Sequence, residues 1–140
     1  PVPYNPYNLR HPKKDGLWIS FAGPISNILT AGAAVLVFRF LRLFGARITD
    51  VSALSRPLEG LSVILLFTAL INISLAVFNL IPIPPLDGSG VLTGLLSERA
   101  AAKYEKIRPY GFLLLLALMY SGALTYLFAP AQNLILRLFT

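Results

Sequence analysis

The 140-residue chain has no cysteine, one histidine, one methionine, one tryptophan and only six acidic residues. The missing cysteine excludes disulfides and thiolate metal sites. The single histidine, His11, stands between Arg10 and Pro12 in a basic, proline-rich approach. A lone histidine there is ordinarily a solvated or interfacial residue, and the apolar stretches hold no histidine for a metal. Charge of either sign is absent from Gly16–Phe38, Gly60–Leu86 and Pro109–Leu136, runs of 23, 27 and 28 residues. The first run is too long for a signal peptide and no small-residue cleavage pattern ends it.

What remains is apolar. The chain is 56% hydrophobic with a mean hydropathy of +0.70, and a membrane span needs about 20 apolar residues. Three buried helices of a soluble protein would need far more polar surface than this chain has. The expected fold is therefore all-α. It is a polytopic membrane protein with three transmembrane helices, at about residues 16–38, 60–81 and 110–136, in one domain covering residues 1–140. The net charge of +6 does not mark a nucleic-acid surface, because the basic residues flank the apolar runs instead of interleaving with aromatics. The bilayer is the partner this composition implies. Three spans put the N-terminus and residues 97–108 on one side, with seven basic residues against five on the other. That side is expected to be cytoplasmic.

The most informative stretch is Asn79-Leu-Ile-Pro-Ile-Pro-Pro-Leu-Asp87-Gly88. It puts one carboxylate at the end of a charge-free run, where an acid costs roughly 2.5–3.5 kcal/mol on insertion scales. Pro82, Pro84 and Pro85 stop the helix before it. Irregular backbone at membrane depth survives only where protein or a wet cavity surrounds it. The bland reading makes Asp87 an N-cap on a short helix to Leu96; on residue types alone it weighs about as much as a functional site.

The first span carries Gly23-Pro24-Ile25-Ser26-Asn27. Gly23, Asn27, Thr30 and Ala34 fall within about 60° at helical spacing, beside a small-residue row of Ala22, Ser26 and Thr30. A packing face is the expectation for Ser26 and Thr30. Pro24 either kinks the helix or starts it afresh. In the second span Thr68, Asn72 and Asn79 lie within about 40°, and interhelical hydrogen bonding is expected of Thr68 and Asn72. Gly45 is a plausible helix stop and Ser55 a candidate cap. Residues 97–108 resemble an interfacial helix ended by Pro109, and the leucine-rich third span reads as scaffold. Counting residues from the membrane face brings Asn27, Asn79 and Asp87 to one depth.

These residues resemble the site-2 protease family of intramembrane zinc metalloproteases, in its compact bacterial branch without a PDZ domain. The resemblance rests on Gly23-Pro24-Ile25-Ser26-Asn27, on Asn79 to Gly88, and on the stretch Tyr104-Glu-Lys-Ile-Arg-Pro-Tyr110-Gly-Phe before the third span. It implies that Asp87 is the acidic ligand of a single Zn2+, that Asn79 assists at the scissile carbonyl, and that Asn27 is the polar residue of the Gly-Pro-x-x-Asn element. It implies a transmembrane helical peptide as substrate, a bacterial cell membrane, and an active site toward the cytoplasm. The family's His-Glu-x-x-His helix, which supplies two histidine ligands and the general base, is absent from these residues. A chain beginning at Pro1 is then expected to be the C-terminal part of a longer enzyme, inactive by itself. The alternatives are a non-catalytic scaffold or degenerate protease relative, favoured by the absent motif, and a transporter fragment, disfavoured because no second broken segment repeats the first.

Overall fold

The computed structural model describes residues 11–45 and 52–140. All regular structure among the described residues is helical. α1 spans Pro12–Gly45, α2 Ser52–Asn79, α3 Asp87–Leu95, α4 Glu98–Glu105, α5 Gly111–Tyr120 and α6 Ala123–Phe139, with a 3₁₀ turn at Arg108–Tyr110. The expected all-α membrane architecture is present: α1 and α2 are each long and apolar enough to cross a bilayer, and α5–α6 with α4 adds a third crossing if the bent pair counts as one span.

α1 is continuous through Pro24, which is fully buried. Its start is fixed by a reciprocal pair: the Asp15 carboxylate accepts from the His11 backbone N–H at 3.0 Å, while the Asp15 N–H donates to the His11 carbonyl at 2.9 Å. Gly45 ends it, as expected. α2 begins at Ser52, so Ser55 lies inside the helix and is not its cap. The core forms where α1, α2 and α6 meet: Ala31, Ala34, Val35, Ala69 and Ile135 are buried there. Alanines at the crossing let the backbones approach closely, which is how helices gain dispersion energy in lipid. Phe38 stacks on Phe139 with ring centroids 4.2 Å apart, tying the far ends of α1 and α6 together.

Three expectations are corrected. Ser26 and Thr30 are exposed, and the packing face of α1 is instead Ala31, Ala34, Val35 and Phe38. Thr68 and Asn72 bond the carbonyls of Ile64 and Thr68 in their own helix, both at 2.8 Å; a side chain in reach of the i−4 carbonyl needs no neighbouring helix. The interhelical bond comes from residues not singled out, Gln132 Nε2 donating to Ser74 Oγ at 2.9 Å. The third span is not one helix. Gly122 adopts φ +73°, and Ala123–Phe139 departs by 73° from the direction of the helices before it. A left-handed residue ends the i−4 ladder, and only glycine enters that region freely.

Candidate metal-ligand site

Seven residues, Leu80–Leu86, join α2 to α3 directly after the apolar run of α2. Three are prolines, which have no N–H to satisfy. The four remaining N–H groups all find partners: Leu80 to Ala76 O (3.1 Å), Ile81 to Phe78 O (3.1 Å), Ile83 to Ile81 O (2.8 Å) and Leu86 to Ile83 O (3.0 Å). The prolines thus delete the donors that a bilayer could not satisfy. The loop carbonyls are held from outside. The Tyr104 hydroxyl of α4 donates to Pro82 O at 2.7 Å. Gly88 lies against the carbonyls of Leu80 and Ile81, and Gly111 at the start of α5 lies against that of Pro84, each so close that a Cβ would collide.

Asp87 is the first residue of α3, and Leu86 occupies the N-cap position without a side-chain cap bond. The capping alternative for Asp87 therefore fails. Its carboxylate instead turns onto α1, where Oδ2 would lie 2.7 Å from a Cβ built on Gly23. Asp87 is half-buried, makes no side-chain hydrogen bond or ion pair among the described residues, and is not sealed from its surroundings.

The two sequence elements therefore meet. Gly23 lies eleven residues into α1 from Pro12, roughly 16 Å at helical rise, and Asn27 is one turn further. Asn79 is the last residue of α2, and the residue after it, Leu80, touches Gly88, the residue after Asp87. Asn27 and Asn79 are both half-buried. His11 is exposed at the start of α1. Two residues around this site went unread in the sequence, Gly90 and Gly94, which press α3 onto α1; the Gly90-x-x-x-Gly94 spacing is a known signal of close helix approach. Tyr104 opens a stretch that carries the family resemblance, but nothing local gives it the role of holding the loop.

The donor set fits one part of a metal centre. Asp87 offers an oxygen ligand in a cradle that a methyl group on residue 23 would fill. Among the described residues no three His, Cys, Asp or Glu side chains gather to complete a site.

Comparison with known proteins identifies the family. The model of peptidase family M50 matches residues 7–120. A Bacillus subtilis (strain 168) protein named "Putative zinc metalloprotease YwhC" is 30% identical over 133 residues, which cover 95% of this chain and 58% of that protein. A Clostridium perfringens (strain 13 / Type A) protein, "Putative zinc metalloprotease CPE1693", is 40% identical over 65 residues, 43% of this chain and 19% of that protein. The chain thus spans less than two thirds of the length of these curated relatives. No solved structure matches it. With the family model covering both the Gly-Pro-x-x-Asn and the Leu-Asp-Gly elements, the chain belongs to peptidase family M50, the site-2 protease family that those elements resemble.

Proposed function

We propose that this chain is the part of an intramembrane zinc metalloprotease that carries the acidic metal ligand, in an enzyme hydrolysing peptide bonds of membrane-embedded helical substrates. The observation that carries the reading is Asp87 itself: a carboxylate at the end of a charge-free run, without an intramolecular partner among the described residues, placed against Gly23 of the second family element. A structural acid would be paired or would cap its helix; this one does neither.

The roles follow from position. Asp87 supplies one oxygen ligand, and the other protein ligands and the general base come from a segment outside these 140 residues. A bound zinc ion supplies a Lewis acid and a water nucleophile active near neutral pH. Asn79, at the end of α2, has two N–H donors to offer a carbonyl oxygen as negative charge develops on it. Asn27, one turn past Gly23, orients the substrate backbone. The proline loop keeps water-seeking donors out of the site. The basic excess beside α4 supports a site opening toward the cytoplasm of a bacterial cell.

The test is Asp87→Asn in the full-length protein. Bound zinc should drop well below one per chain, and cleavage of a transmembrane substrate should fall by about a hundredfold or more. Asn79→Ala should keep its zinc and lose roughly 10²–10³ in kcat. Stoichiometric zinc and full cleavage in Asp87→Asn refute the ligand assignment. A full-length protein that binds no zinc supports the non-catalytic scaffold instead.

A further inference from the structure

A nine-residue helix entered from a loop has no internal reason to stop at one depth. What locates α3 is α1. Gly94 lies on Leu17, and a Cβ there would come 2.7 Å from Leu17 Cβ. Gly90 lies on Ser20 so closely that a Cβ would collide with its hydroxyl. Gly23 lies under Asp87, and a Cβ there would come 2.7 Å from Asp87 Oδ2. The contacts advance 17, 20, 23 on α1 and retreat 94, 90, 87 on α3, one antiparallel seam at helical spacing. Beyond its outer end the Lys13 ammonium donates to the carbonyl of Leu96, closing the seam over the end of α3.

The seam is complementary in size. Where α1 carries a side chain, Leu17 or Ser20, α3 carries glycine; where α3 carries the carboxylate, α1 carries glycine. Conformational freedom does not account for these glycines, since the only positive φ among the described residues is at Gly122. Gly32, on the same α1, has nothing within 4 Å.

We infer that this seam is a register device in which Gly23, Gly90 and Gly94 are positioning residues for the Asp87 carboxylate. The inference rests on the reading of Asp87 as the acidic zinc ligand. A slip of one turn would move the carboxylate by about 5.4 Å, more than twice a zinc–oxygen bond of roughly 2.0–2.2 Å, so the register decides whether the ligand reaches the metal.

The experiment transposes the sizes in the full-length protein. Gly90→Ala should release zinc to a chromogenic chelator about tenfold faster or more, while Ser20→Gly/Gly90→Ala should return release toward the wild-type rate. Gly94→Ala and Leu17→Gly/Gly94→Ala form a second such pair, used if Gly90→Ala does not fold. Gly32→Ala should leave release unchanged. Spin labels at Trp18→Cys and Leu95→Cys, both exposed, measure the register without the metal: the single alanine variants should change their separation and the paired variants restore it. Folded alanine variants with wild-type release and an unchanged separation overturn the register device, as does failure of both paired variants to restore either quantity. If Asp87→Asn retains its zinc, the ligand reading falls, and the label separations still decide whether the seam sets the register.

Discussion

Removing one hydroxyl, by Tyr104→Phe, tests how the loop is held. Tyr104 reaches from α4 to Pro82, and its 2.7 Å bond holds the loop from another helix, whereas Ser89 Oγ holds the Leu86 carbonyl only from within α3. A net hydrogen bond contributes about 1 kcal/mol, and a stranded acceptor costs about 1–3 kcal/mol when water cannot replace the donor. Pro82 is exposed, so solvent or headgroups offset part of that loss. The expected destabilisation is about 0.5–1.5 kcal/mol, read as a shift in the midpoint of unfolding in mixed detergent followed by helicity. An unchanged midpoint would refute the clamp.

Other substitutions probe neighbouring features. Gly88→Ala drives a methyl group into the carbonyls of Leu80 and Ile81; backbone cannot move aside as a side-chain tip can, and a loss of about 3 kcal/mol in the same titration is expected. Gly122→Ala meets no steric neighbour but must hold φ near +73°, so it should cost about 1–2 kcal/mol, with Gly122→Asn costing less. Gln132→Leu breaks the bond to Ser74 and should lose only about 0.6 kcal/mol in a double-mutant cycle with Ser74→Ala.

The sequence made the centre of the molecule legible and left its supports dark. Asp87 stands out because one charge among many apolar residues is costly anywhere but at a partner or a site. Its loop is legible because prolines have few places in a helix. The common depth of Asn27, Asn79 and Asp87 is an expectation from counting residues; the structure brings Gly23, one turn before Asn27, against Asp87. The supports depend on contacts distant in the chain. Tyr104 and Pro82 are 22 residues apart, and no periodicity links them. Gly122 sits in a leucine-rich run where a glycine inside a helix costs only about 1 kcal/mol, too little to announce an elbow. Thr68 and Asn72 looked like groups seeking another helix because residue type cannot show that a carbonyl one turn back is within reach.

The loop between α2 and α3 has one more consequence. Its amide hydrogens are all engaged and its prolines contribute none, so an extended strand drawn alongside it would find no donor. Two-sided ladder pairing is closed to such a strand, and a β-sheet cannot propagate through Leu80–Leu86. The carbonyls of an unwound segment lying there would have to be answered from another part of the protein.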